Sequence, residues 1–183
     1  DFVAGKTAWL TKYMALVPEK IKFQYVTGEI HHVFGKAYPL QVCLGPRDEA
    51  GISSGGELQL VLRTKQSDRE DLFKEGMKRI LLWEIEKQLE IWTKRMAIPE
   101  SRITGVTIRV MKSRWGSCRR VTGRFSFALD LVTKPKDCIE AVVIHELCHL
   151  FAAGHGPDFY ARMETYLPDY KERDRLLSSL PRE

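Results

Sequence analysis

The stretch IHELCHLFAAGHGPDF, residues 144–159, holds three of the chain's five histidines and a glutamate between two of them. His145 and His149 are four positions apart. On a helix that places them about 40° apart around the axis and one turn apart along it, so both imidazoles can reach one ion. Glu146 sits roughly 100° round from His145, beside such an ion and free to take a proton from a bound water. Gly154 reads as a helix stop, after which His155 can fold back as a third ligand. Three neutral imidazoles leave a fourth tetrahedral position for solvent, which is the layout of a catalytic zinc.

The flanking residues place this motif on a buried helix. Asp137 and Glu140 form a D-x-x-E capping box after Pro135, predicting a helix from there to about Ala153. Ile139, Val143, Leu147 and Leu150 cluster on the face away from the histidines, and Ile144 and Phe151 extend the apolar surface. Polar groups on so buried a helix are costly without partners, and a metal would supply them. A closed structural site would need a fourth protein ligand. Cys148 points about 60° away from His145, and Cys138 lies about 10 Å down the axis.

Working outward, Ser67 or Asp68 opens a long helix to about Met96, with Met77, Leu81, Ile85, Leu89, Trp92 and Met96 on one stripe. Strand-like pieces fall at Lys22–Val26, Glu29–Phe34, Tyr38–Leu44 and Glu57–Thr64, punctuated by glycines. Residues 105–111 and Arg124–Val132 read as strands, with a loop or wide hairpin between them. Residues 2–16 read as a helix with Asp1 as N-cap, and short helices are predicted over Asp158–Tyr166, with Pro157 in its first turn, and Lys171–Ser179. This order predicts an α+β fold, with a small antiparallel or mixed sheet packed on the long helix and the H-E-x-x-H helix. It is expected to divide into an N-terminal helix and strand-rich segment, 1–66, whose start reads as that of a fragment or a processed form, and a metallohydrolase core, 67–183. The two are expected to form one compact unit.

Bulk composition is that of a globular chain: 183 residues, 44% apolar, net charge +5 from 29 basic and 24 acidic side chains. No apolar run approaches the ~18 residues of a membrane helix. Cys43, Cys118, Cys138 and Cys148 have no paired spacing, which points to a reducing, cytoplasmic setting. The opening DFVAGKTAWLTKYM has neither an initiator Met nor a signal-peptide layout and reads as a fragment or a processed form. Its AGKT lacks the earlier glycine of a phosphate-binding loop. His31 and His32, neighbours in a strand, point to opposite faces and read as surface residues.

Several stretches together resemble the YgjP-like metallopeptidase family, related to the WLM and SprT-like minimal zincins. They are GEIHHVFGKAYPLQV, SRWGSC at 113–118, FSFALDLVTKP at 125–135, the HELCHL…GHGPDFY block and YLPDYKERDRLL at 166–177. The resemblance implies a zincin-like fold for the 67–183 core, His145, His149 and His155 as ligands of one zinc ion, and Glu146 as general base. The chain departs from it at Ala128, where relatives often carry Asn.

The activity expected is zinc-dependent hydrolysis of a peptide bond by a water that Glu146 activates. The edge of strand 124–132, with Phe127 and Ala128, is expected to pair with an extended peptide or protein substrate. Trp115 and Ser117, in a loop near the metal, and Tyr160 are further substrate-binding candidates; Tyr160, Tyr166 and Tyr170 read first as core tyrosines and otherwise as candidate oxyanion donors. In the alternative, Trp115 caps the core and Gly116 allows a tight turn; Cys118 could serve as an inhibitory or redox thiolate. Lys112, Arg114, Arg119, Arg120 and Arg124 around Trp115 read first as a solvated loop face, and they leave two other readings open: a nucleoside triphosphate phosphohydrolase and a nucleic-acid-associated protease. Binding without catalysis is a further class.

Overall fold

The computed structural model describes residues 22–182; the helix expected over 2–16 lies outside them. The fold is α+β, with two small sheets where one was expected. The first is built from β1 (Ile30–Val33), β2 (Lys36–Leu44), β3 (Glu49–Ile52) and β4 (Leu58–Leu62) in the order β1-β2-β4-β3. β1 and β2 form an antiparallel hairpin, β2 and β4 run parallel, and β3 returns antiparallel to β4. Lys22–Val26 is not a strand, and β3, hidden by its Gly51, was not legible as one.

The alternation in β1 buries His31 and Val33 and exposes Ile30 and His32. His31 is therefore no surface residue. Its ring stacks among Phe23, Tyr25 and Phe73, and its Nε2 lies 3.1 Å from Glu29 Oε2.

Helix α1 (Arg69–Arg95) is N-capped by Asp68, whose carboxylate accepts from the Asp71 amide. The predicted stripe from Met77 to Met96 is buried throughout. α1 packs on β3 and β4 and on β5 (Gly105–Arg109) of the second sheet. Gly76 permits the closest approach, since a Cβ there would come within 2.4 Å of the Ala50 carbonyl oxygen.

The second sheet has β5 (Gly105–Arg109) and β6 (Gly116–Arg119) flanking β7 (Arg124–Ala128). β5 is parallel to β7 and β6 antiparallel to it. Phe125 and Phe127 point into the core, while Arg124 and Ser126 face outward. A 3-10 turn, Leu129–Thr133, leads into the motif helix α2 (Lys136–Cys148).

The hairpin tip between β1 and β2 docks on that turn. Phe34 N donates to Val132 O at 2.7 Å and Gly35 N to Thr133 O at 3.2 Å. Gly35, at φ +78°, has room only for hydrogen where a Cβ would crowd Pro135.

The capping box is not formed. Pro135 is the N-cap of α2, with no side-chain cap bond. Glu140 instead accepts from Trp92 Nε1 of α1 and, at 2.6 Å, from Arg173 of α4 (Tyr170–Ser179). A third element outbids the local cap because it satisfies a half-buried carboxylate with charged and indole donors. α3 (Pro157–Tyr166) starts with proline in its first turn, as the sequence suggests. Among the described residues no helix is long and apolar enough to cross a membrane.

Candidate metal centre

α2 ends sooner than predicted, at Cys148. The chain then tightens: Leu150 N bonds Leu147 O, and the Phe151 and Ala152 amides bond Cys148 O. His149 becomes the C-cap and Phe151 swings out to 40% exposure, instead of extending the buried face. The turn of chain through Gly154 brings His155 back over the helix end, just ahead of α3.

The three imidazoles form a near-equilateral triangle. Their ring centroids are 5.0 Å (His145–His149), 4.9 Å (His145–His155) and 4.9 Å (His149–His155) apart. One nitrogen from each lies within 4.8 Å of the others, and His145 Nε2 is 3.0 Å from His155 Nε2. Tetrahedral ligands at zinc–nitrogen distances of about 2.05 Å would stand about 3.3 Å apart.

His149 Nδ1 lies 3.2 Å from the Ala152 carbonyl oxygen. Only an N–H can bond a carbonyl, so Nδ1 carries the proton and Nε2 keeps its lone pair. Phe159, only 1% exposed, sits 4.7–4.9 Å from all three rings and forms the floor on which they rest. Its place in an i, i+4 step after His155 was the signal available for it.

Burial sets the protonation states. Desolvation, helped by the two neighbouring imidazoles, lowers the pKa of His145 to about 4, and desolvation also lowers that of His149. Both are neutral at ordinary pH, as ligands must be. Desolvation pushes Glu146 up to about 8 despite the Arg114 guanidinium, and its Oε2 is buried without a hydrogen-bond partner. A buried orphan oxygen is expensive and is retained where something else is meant to occupy its neighbourhood.

A cavity of about 330 Å³ opens beside these groups. Arg114, Trp115 and Gly116 form one wall, His145, Glu146 and His155 the base, and Tyr160, Met163, Tyr170 and Leu177 the far side. Gly116 approaches closely: a Cβ there would lie 2.6 Å from Glu146 Oε1. It is therefore not a turn glycine. It lies in β6 with no left-handed φ, and what it supplies is clearance for the carboxylate.

The structure separates the other candidates. Trp115 and Tyr160 line the cavity, as does Tyr170, whereas Tyr166 does not. Ser117 pairs with Ser126 on the outer sheet face, away from Gly116 and Glu146. Phe127 and Ala128 are fully buried in the central strand β7, hydrogen-bonded on both sides. The expected edge at 124–132 is thus not an edge, because β5 and β6 flank it; the edge strands are β5 and β6, and of these β6 begins beside Glu146. Cys118 is no thiolate, since burial and Glu146 raise its pKa to about 11. Cys148 is fully buried and outside the histidine group, so among the described residues no cysteine joins the three imidazoles.

The basic run is divided between two faces, with Arg119 and Arg124 paired on the outer side of the second sheet. Arg114 faces the cavity, and the Trp115 ring is covered by Arg182, whose guanidinium lies 3.8 Å from its centroid.

A YgjP-like metallopeptidase domain model matches residues 1–180. The chain belongs to the YgjP-like metallopeptidase family. This YgjP-like chain is also similar to two crystallised metallopeptidase zymogens. One is abylysin of Pyrococcus abyssi, with TM-score 0.47 and 24% identity over 54% of this chain and 97% of that one. The other is jannalysin of Methanocaldococcus jannaschii, with TM-score 0.45 and 20% identity over 51% and 92% of the two chains. No curated protein matches the YgjP-like sequence.

Proposed function

We propose that this YgjP-like chain is a zinc-dependent peptidase in which His145, His149 and His155 hold one zinc ion and Glu146 is the general base. The observation that carries this is the conjunction of three imidazoles, nitrogens converging, with an unpartnered carboxylate oxygen at the base of one cavity. An all-nitrogen donor set of three suits zinc with a coordination position to spare. When bound, the ion supplies Lewis acidity toward a substrate carbonyl and makes a nearby water easier to deprotonate.

The protein's own groups do the rest. Glu146 Oε2, having no other partner, accepts the proton of the attacking water and returns it to the leaving amine. The desolvation that raises its proton affinity suits a group that must take up a proton, and a cation alongside would keep its resting form ionised. The open edge of β6, beginning at Gly116 beside Glu146, offers backbone N–H and C=O groups to an extended peptide. Tyr160 and Tyr170, which line the same cavity, are the donors this reading assigns to a developing oxyanion.

The test is a comparison of the chain with its Glu146→Gln and His149→Ala variants. Metal analysis after reconstitution should find about one zinc per chain in the first two and little in the third. Glu146→Gln should cut peptide hydrolysis by about 10²–10⁴-fold while keeping the metal. Nucleoside triphosphates assayed in parallel should not be cleaved; triphosphate cleavage without peptide cleavage would replace this reading with a phosphohydrolase.

A further inference from the structure

Residues 101–129 contain seven of the chain's 29 basic residues and none of its 24 acidic ones. The rest of the molecule is slightly acidic, so the basic character is concentrated here. The register of the second sheet sorts these cations by face. Val106, Ile108, Cys118, Phe125 and Phe127 alternate toward the core side, leaving Gly105, Thr107 and Arg109 of β5, Arg124 and Ser126 of β7, and Arg119 of β6 on the other. That face holds a cavity of about 320 Å³ lined by Arg109, Arg119 and Arg124 over Thr107 and Ser126. It shares no lining residue with the histidine cavity.

Two features mark the face as built for an anion. Arg119 and Arg124 stand directly opposite each other in the antiparallel ladder, a like-charge pairing that destabilises a sheet. Among the described residues, none of the three exposed arginines pairs with a carboxylate. The sheet carries this repulsion unrelieved, although cross-strand acids could cancel it.

Arg109 lies four residues along the strands from the Arg119–Arg124 row, about 13 Å at the usual rise. Thr104 N bonds Gly123 O at 2.9 Å, so the β6–β7 turn with Arg120 and the segment after Arg102 meet at the Arg119 end. The cations thus extend along the sheet, more than one small anion would need. The floor offers hydroxyls and no exposed aromatic ring, whereas peptide recognition wants pockets for side chains. A phosphodiester chain needs only its successive charges met.

We infer that the outer face of the second sheet binds the phosphate backbone of a nucleic acid, with Arg109, Arg119 and Arg124 as phosphate contacts. The reading is independent of the metal site. It goes beyond peptide hydrolysis by giving the enzyme a place to anchor.

Fluorescence anisotropy with a labelled 20-base single strand and a duplex of the same length tests it on the full chain. Binding should weaken steeply with salt. Arg109→Gln/Arg119→Gln/Arg124→Gln should weaken it at least tenfold at low salt and flatten the log–log salt slope by about 0.7–0.9 for each arginine–phosphate pair removed. Zinc content should not change, and Arg109→Gln/Arg124→Gln, which leaves β6 untouched, should keep peptide hydrolysis, since neither residue lines the histidine cavity. On the unmodified protein, bound oligonucleotide should shield these arginines from phenylglyoxal, read by mass spectrometry. The inference is overturned by no binding at about 50 mM salt or by no shielding. Unaltered affinity in a folded variant overturns it too, as does equal competition by polyglutamate, which would make the partner an acidic protein.

Discussion

The contact between Gly116 and Glu146 shows how one missing methyl group can govern a site. A Cβ at residue 116 would fall 2.6–2.9 Å from Oε1, Cγ and Cδ of Glu146. The far end of that side chain is the part free to move, so Gly116→Ala should displace the carboxylate more than it strains the fold. We expect peptide hydrolysis to fall about 100-fold, the cost of misplacing a catalytic group by around 1 Å, with zinc content kept and the melting temperature nearly unchanged. A variant with full turnover would show that Glu146 does not need this clearance. The same residues mark the limit of sequence reading. His145 and His149 were legible because helical spacing is local, and His155 because the Gly154 stop stands just before it. Gly116 and Phe159 were not recognised, because their roles depend on which distant segments the fold lays against them.

Between elements, a buried carboxylate pins α1 to α2. Glu84 is fully buried, and its oxygens accept from Lys87 and Gln88 of its own helix and from Lys136 at the start of α2. Burial alone would raise its pKa, but the donors, Lys136 foremost, outweigh this and hold the carboxyl below its ordinary value. A depressed carboxyl stabilises the fold above the unfolded pKa, near 4.3. That contribution disappears as pH falls through the folded value. Glu84→Gln should therefore cost about 1.5–3 kcal/mol at pH 7 in urea unfolding, and the gap from the parent should close below about pH 4. A gap independent of pH would assign the loss to packing. The long helix itself was legible from its apolar stripe. Its charged anchor was not, because Glu84 reads like any surface glutamate until Lys136 is brought to it. The capping box failed for a similar reason: Glu140 has better partners in Trp92 and Arg173 than in its own helix start.

At the scale of the molecule, the C-terminal segment braces the wall of the histidine cavity. Arg182 donates to the Met111 carbonyl at 2.9 Å and lies over Trp115, while Lys134 Nζ donates to Pro181 O. Arg182→Ala removes one carbonyl bond and one cation–π interaction, worth about 1–2 kcal/mol together. The expected readouts are a melting temperature lower by about 2–8 °C and faster proteolysis within residues 111–115. Unchanged proteolysis there would show that the wall stands unaided.

The α+β class was legible, but the order of the strands was not. Parallel pairings such as β5 with β7 join segments far apart in sequence, and nothing local says that β6 will take the outer place. The hairpin tip at Phe34 and Gly35 has the same long-range character. Its two amides end in the turn that launches the histidine helix, so the N-terminal sheet acts as a buttress for the motif. The H-E-x-x-H segment is consequently not a portable cassette: excised or grafted without that hairpin, its helix would begin from a turn with two carbonyls unmet and lose its fixed starting point.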